Sequence, residues 1–212
     1  MKRLSKLMAG AILFSFLLLL LFSSVFAQEK TAVDIKAELP VMITSCGQSP
    51  GPVSLKVIMT GKRYDVNIVP VFSVLATADT LIALKNAGNP VKTIIIVTGA
   101  SLKTMGATGI SIKDELERAD KLIAEAKKQG ILVIGAHIEG LDRRIMGAAP
   151  GDNSDELSID AVCPKSDLLL VRKDGNEDGR FTTISKNNKI PIIEFEKMNE
   201  LPAVLNNLFK KK

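Results

Sequence analysis

The chain has 212 residues, 46% hydrophobic and 24% charged, with 28 basic against 23 acidic residues and a formal net charge of +5. That length supports one domain with a full-sized core. Two cysteines exclude a disulfide scaffold, and the near balance of charge supplies no concentrated basic face of the kind nucleic-acid binding needs.

Lys2, Arg3 and Lys6 precede an almost uninterrupted apolar run from Leu7 to Phe22, and Val25 and Ala27 are compact enough for signal peptidase. Residues 1–27 are therefore read as a signal peptide. Cleavage after Ala27 removes 27 of the 212 residues, leaves 185 beginning at Gln28, and takes three cations away, lowering +5 to +2. The competing reading is an uncleaved anchor, because the run approaches the lower limit for a bilayer span. Cleavage is favoured, leaving no stable membrane span and a periplasmic or secreted chain. No cysteine near the cleavage point supports a lipoprotein.

After an extension over 28–38, residues 39–209 read as a single α/β domain, and 210–212 as a basic tail. Leu39 to Thr44 forms the first strand, Ser45 to Gly51 a turn, and Pro52 enters a helix through Met59; proline suits an early helical position because its missing donor would have no intrahelical partner there. A second strand is expected over Val66–Val69, stopped by Pro70. Val71 to Ala78 stays open between strand, loop and broken helix, and Asp79 to Ala87 is a helix ended by Gly88 and Pro90. Lys92 to Thr98 lacks polar alternation, as a strand covered on both faces does. A long glycine-bearing loop, Gly99 to Gly109, follows.

Ser111 caps the next helix, with Asp114 three positions on as a relative of the capping box. The helix covers Ile112–Gln129, burying Leu116, Ala119, Leu122, Ile123 and Ala126 and exposing Glu117, Lys121, Glu125 and Lys128. Ile131 to Ala136 is a strand, His137 to Asn153 a loop, Asp155 to Val162 a helix and Asp167 to Val171 a strand. A polar turn over Arg172–Gly179, a helix over Arg180–Asn188, a strand over Ile190–Phe195 and a helix over Asn199–Leu208 complete the chain. Pro191 marks that last strand as an edge. Alternation of this kind predicts a three-layer Rossmann-like or flavodoxin-like α/β domain, with five or six mostly parallel strands and right-handed crossovers. Cys46 and Cys163 are then expected at opposite ends of the sheet, unbridged.

Doubly wound sheets hold ligands beyond the carboxyl ends of their strands, which directs attention to four loops. Ser45, Cys46, Gly47, Gln48 and Ser49 precede a helix N-terminus able to receive an oxyanion. Gly99, Ser101 and Lys103 offer close backbone approach, a hydroxyl and a cation. His137 and Arg143 lie after the fourth strand, with Arg144 a second possible anion contact, and Asn176 lies in the late acidic turn. For each the competing reading is an ordinary connection, cap or solvated face. Neither the dinucleotide nor the phosphate-loop glycine pattern is present, so no cofactor is expected. Glu139, Asp142, Asp152, Asn153, Asp155 and Glu156 make a hard cation conceivable, but capping is preferred and no metal site is assigned.

Ile43 to Ser49, Ile96 to Lys103, Val133 to Gly140 and Asp174 to Phe181 together resemble segments of a bacterial family of exported proteins defined as domain of unknown function 6305. The resemblance implies export and one α/β domain over most of the mature chain, and brings no mechanism. The leading reading is a noncatalytic domain that binds or senses a small anionic or polar compound. A small-molecule hydrolase is the first alternative, with Cys46 or Ser49 as nucleophile, His137 as base and Asp142 or Asp178 as its orienter. The second is an envelope assembly or interaction module without a small-molecule site. Its protein partner is undefined, and the absence of Trp and the single Tyr weaken an aromatic hot spot.

Overall fold

The computed structural model describes residues 35–145 and 153–209. The segment read as a signal peptide, the first part of the extension, the loop segment containing Asp152 and the last three residues lie outside those residues. Six strands form one sheet: β1 (Val41–Cys46), β2 (Val71–Phe72), β3 (Thr93–Thr98), β4 (Leu132–His137), β5 (Leu168–Arg172) and β6 (Ile192–Phe195). Their order is β2-β1-β3-β4-β5-β6 and every pairing is parallel. This is the flavodoxin-like order carried one strand further. The domain is α/β, as its alternating pattern predicts.

Seven α-helices occur among the described residues: α1 (Gly51–Thr60), α2 (Ala78–Asn86), α3 (Leu102–Thr108), α4 (Ile112–Lys128), α5 (Ser154–Val162), α6 (Arg180–Asn188) and α7 (Leu201–Leu208). α2, α4 and α5 pack side by side on one face, while α1 meets α7. Met42, Ile94, Ile96 and Val133 share a core with Leu81 of α2 and Ala119, Leu122, Ile123 and Ala126 of α4. Ile43, Ile95 and Ile134 pair across the sheet in register and alternate to its other side. Ile94, Ile95 and Ile96 are all fully buried, which is why this strand shows no polar alternation. Its centre stabilises the domain by roughly 1.5–3 kcal/mol per buried branched side chain.

The structure corrects several expectations. Val66–Val69 is not a strand: Asp65 and Asn67 adopt left-handed φ values of 55° and 53°, which interrupt extension, and Val69 is 87% exposed. The strand forms instead at Val71–Phe72, after Pro70. Gly99 to Gly109 is not one long loop, because α3 occupies most of it. Ser101 accepts from the Thr104 amide at 3.2 Å, and Gly109 closes the helix at φ 68°. His137 is the last residue of β4, and Cys46 the last of β1, where sequence reading put each in a loop. β6 starts at Ile192, two residues late, and does lie at the sheet edge. The capping box of α4 forms as read, with Ser111 and Asp114 each accepting from the other's amide, at 3.2 and 2.9 Å.

Candidate functional site

Strand order reverses between β1 and β3, so the loops that follow them diverge from a common crevice, the place where this fold takes ligands. Here the two loops are stitched together. Ser101 donates its amide to the Gly47 carbonyl at 2.8 Å, and Ser49 donates to the Gly99 carbonyl at 3.2 Å. Gly47 has φ 99°, and a Cβ there would stand 2.5 Å from the Gly99 oxygen and 2.8 Å from the Ala100 Cα. The strain and the backbone clash act together, so Gly47→Ala is expected to lower unfolding free energy by about 1–3 kcal/mol in urea titration.

The amides that would cradle an incoming anion already have acidic partners. Glu115 of α4, fully buried, accepts from the Gly47 amide at 2.9 Å and Gln48 Nε2 at 3.2 Å. Glu139 accepts from the Gly51 amide at the start of α1 at 3.1 Å, and Asp155 from the Ala100 amide at 2.6 Å. Burial pushes the Asp155 carboxyl above its usual range, opposed by that amide and by Arg143. Gln48 Oε1 receives the Thr108 hydroxyl at 3.1 Å, and the Gly99 amide goes to Ser158 Oγ at 2.9 Å. The crevice is thus filled with the chain's own carboxylates and hydroxyls, each matched to a donor.

The proposed nucleophiles and base do not assemble. Cys46 is fully buried in the core shared by α2 and α4, and burial pushes its thiol up to about 12, which suppresses the thiolate. Cys163 is likewise buried and free, its thiol raised first by burial and next by Cys46. Ser49 is 4% exposed, with Oγ against the Gly51 amide at 3.4 Å. Both ring nitrogens of His137 are engaged, Nδ1 with Thr98 Oγ1 at 3.1 Å and Nε2 with the Gly140 carbonyl at 3.0 Å. The carbonyl requires Nε2 to carry the proton, so Nδ1 accepts from Thr98. The ring packs on Phe181 with centroids 5.0 Å apart, and burial pulls its pKa down to about 4. Thr98 occupies the strand between Cys46 and His137 in register, so the histidine reaches the threonine and not the thiol. Asp142 is exposed, and Asp178 binds Arg144 at 2.5 Å.

The remaining polar candidates are structural ties, with one exception. Arg143 donates to the Ala100 carbonyl at 2.8 Å, joining the loops after β3 and β4. Arg144 is buried among Glu156, Asp178 and the Gly175 carbonyl, and it lies over Phe181. Arg180 Nε approaches Glu156 Oε2 at 3.0 Å but off the hydrogen-bonding direction, leaving both atoms without such a partner among the described residues. Asn176 Oδ1 receives the Phe181 amide at 2.8 Å, and its Nδ2 donates to Thr182 and Glu194, each at 2.8 Å. Lys103 is the exception: it is exposed, with no hydrogen bond among the described residues.

Two signals in the sequence escape a first reading. Asp174, Asn176, Asp178 and Gly179 follow the opening spacing of an EF-hand loop, although Ser185 stands where the closing glutamate belongs. In the structure two arginines take the carboxylates: Arg172 meets Asp174 at 2.7 and 2.8 Å, and Arg144 meets Asp178. No group of three His, Cys, Asp or Glu side chains suited to a metal occurs among the described residues. The second signal is on α4, where Asp114, Glu117, Arg118 and Lys121 recur with helical spacing and form one polar stripe.

That stripe faces the N-terminus of α2 across a cleft of about 350 Å³ at the carboxyl end of the sheet, lined by Thr77, Ala78, Asp79, Asp114, Glu117, Arg118 and Lys121. Its floor is anchored to the crevice. Arg118, whose side chain is 11% exposed, meets Glu115 at 2.7 Å and donates to the carbonyls of Ser45 at 2.6 Å and Ala76 at 2.7 Å. Glu117 pairs with Lys121 at 2.6 Å, a contact that lowers its pKa, and hydrogen bonds from Ser111 lower that of Asp114. Both carboxylates are therefore ionised at neutral pH.

Among solved structures, an acetyl xylan esterase, AlAXEase, superposes with TM-score 0.37 at 11% identity, over 78% of this chain and 83% of the other. A psychrotrophic esterase EstA from Pseudoalteromonas sp., in a structure inhibited by monoethylphosphonate, gives 0.33 at 12% identity, over 79% and 93%. Superposition that loose carries nothing about chemistry to this chain. Comparison with curated proteins gives no match. The family model for a domain of unknown function, DUF6305, matches residues 38–209, nearly the whole α/β domain, and the chain belongs to that family.

Proposed function

We propose that this domain is a noncatalytic binder of a small polar compound, and that its ligand lies in the cleft between α2 and α4 and not in the crevice between β1 and β3. The observation that carries this reading is the contrast between the two places. Crevice amides are bound by Glu115, Glu139 and Asp155, whereas the cleft is open, of ligand size and edged with charge. The hydrolase alternative lacks a base within reach of a nucleophile, since His137 spends both nitrogens on the fold. The reading includes export to the periplasm or beyond with removal of residues 1–27, so N-terminal sequencing of the exported protein is expected to begin at Gln28.

Thermal-shift screening of the purified exported protein against small polar compounds tests the reading. A stabilising compound is expected to lose its effect in Asp79→Lys, which reverses charge at the cleft, and to keep it in Lys103→Ala, on the helix beyond β3. The reverse pattern would return the site to the loops. A protein partner is the second reading, favoured by Leu102, 73% exposed at the start of α3, and Leu141, 42% exposed in the helical turn after β4. Photocrosslinking from position 102 in intact cells would remove that reading if only the uncrosslinked chain were recovered.

A further inference from the structure

We propose that the amino end of the sheet, opposite the cleft, is a peripheral docking face for an anionic lipid bilayer, with lysines against the headgroup phosphates and with Val69 and Leu39 reaching past them. The near balance of total charge conceals a separation of sign along the strand axis.

Because every strand pairing is parallel, the helices that lead back to the next strand finish at this end. α2 finishes on Lys85, α4 on Lys127 and Lys128, and α6 on Lys186 with Lys189 as its cap. The turn after α1 holds Lys62 and Arg63. Helix dipoles account for a cation at a helix C-terminus. They do not account for Lys36 and Lys92, which precede β1 and β3. Glu38 donates its amide to Thr93 Oγ1 at 3.1 Å and Lys92 donates to the Pro40 carbonyl at 2.8 Å, so these two cations flank neighbouring strand starts. All of these basic residues are exposed, and only Lys128, 3.6 Å from Glu125, has an ion-pair partner among the described residues. The acids at this level are Glu38, Asp65, Glu125 and Asp167. Glu125 is taken up by Gln129 and Lys128, and Asp167 by the Val133 amide. The described chain also ends here, with Ala37 donating to the Leu208 carbonyl at 3.0 Å, and Lys210, Lys211 and Lys212 follow Phe209 in sequence.

The second observation is apolar and independent of the charges. Val69 is 87% exposed and Leu39 is 41% exposed. Met42 pairs with Val71 and Val41 with Thr93, so the same register carried back along the strands sets Val69, Pro40 and Lys92 at one level. Exposed aliphatic tips flanked by unpaired lysines suit a bilayer interface, where cations meet anionic headgroups and the tips enter the acyl boundary. A nucleic acid offers phosphates to the lysines but nothing to the tips. Nor is a stacking platform free for its bases, since Tyr64 is half-buried with Arg63 over its ring at 4.5 Å. Among the described residues no helix is long and apolar enough to cross a membrane, so the contact is with the surface.

The experiment is co-sedimentation of the purified exported protein with vesicles of phosphatidylglycerol and phosphatidylcholine in equal parts, compared with vesicles of phosphatidylcholine alone. Binding to the mixed vesicles is expected, weakening as salt rises, with little binding to phosphatidylcholine. Lys36→Ala combined with Lys92→Ala is expected to weaken binding roughly thirtyfold, the equivalent of about 1 kcal/mol for each cation, and Val69→Gln to weaken it severalfold. Lys103→Ala combined with Lys113→Ala removes the same net charge at the carboxyl end and is expected to leave binding unchanged. Unchanged melting temperatures show that the variants are folded. No binding to the mixed vesicles, equal binding to both kinds, or an equal loss in the two double variants would overturn the assignment. Binding of a DNA duplex or of polyglutamate in place of the mixed vesicles would give the lysines a different partner and overturn the bilayer.

Discussion

Glu115→Ala is expected to cost about 3–5 kcal/mol of unfolding free energy, the range for stripping one partner from a buried ion pair. In a domain of this size that lowers the melting temperature by roughly 10 °C. The carboxylate is fully buried and accepts from four donors: the Gly47 amide at 2.9 Å, Gln48 Nε2 at 3.2 Å, and Arg118 Nε and Nη2 at 3.2 and 2.7 Å. Its removal leaves a largely buried guanidinium facing two carbonyls only, and frees the Gly47 loop from α4. Glu115→Gln keeps the shape but turns a donor toward donors, so an intermediate loss is expected. Replacing Glu115 and Arg118 together by Met should cost less than the two single changes added, because neither charge is then stranded. Urea titration of the wild type, Glu115→Ala, Glu115→Gln, Glu115→Met, Arg118→Met and the double Met variant gives these values. A loss below about 1 kcal/mol for Glu115→Ala would mean that the crevice is not held by this residue.

Stability is expected to fall by roughly 3 kcal/mol between pH 6.5 and 4 on account of His137 alone. The sign follows from its surroundings. Burial lowers its pKa from 6.5 to about 4, Arg144 and Arg172 add to the fall, and the Gly140 carbonyl and Asp174 oppose it. The folded ring therefore stays neutral in a window where the unfolded ring takes up a proton. The contribution is complete above pH 6.5, drains away as pH falls towards 4, and is level below that, where both states are protonated. Carboxylates with lowered pKa, Asp174 and Asp178, steepen the loss at the acid end. His137→Gln is expected to be less stable at pH 7, where it forfeits the ring packing on Phe181, but to lose less between pH 6.5 and 5. Parallel slopes for the two proteins over that interval would show that the ring titrates normally in the folded state.

Both residues illustrate what the sequence discloses about this fold. Lys92 to Thr98 reads as a central strand because its middle, Ile94 to Val97, is apolar on both faces with no polar alternation, and the Ser111 and Asp114 pair locates the start of α4 to the residue. Elements governed by a single backbone event were harder. Asp65 and Asn67 in the left-handed region interrupt a run of branched residues that otherwise looks extended, and a lone serine cap at Ser101 starts a helix inside a segment bounded and interrupted by glycine. The connections at the carboxyl end were found, with Ser45, Cys46, His137 and Arg172 wrongly counted in them and the helix over Leu102–Thr108 missed, but their openness was not readable, because the groups that close them come from elsewhere in the chain. Glu115 lies 68 residues from the Gly47 amide it accepts, and Asp155 lies 55 from Ala100. Helical spacing does put Glu115 in line with Ala119, Leu122 and Ala126, so a charge on the buried stripe was visible in principle. Asp114, Glu117, Arg118 and Lys121 read equally well as a solvated face, and only the packing of α2 against α4 turns them into the wall of a cleft.

The claim on which the rest depends is that ligand goes to the α2/α4 cleft while the crevice stays occupied by its own carboxylates. Amide chemical-shift mapping of the isotope-labelled protein, titrated with a small polar compound that stabilises it in the thermal-shift screen, measures this directly. The account predicts perturbed amides at Thr77 to Asp79 and along Asp114 to Lys121, with Gly47, Gln48 and Gly99 to Ser101 unmoved. Shifts concentrated at Gly47 to Gly51 and Gly99 to Ser101, with the cleft silent, would contradict it.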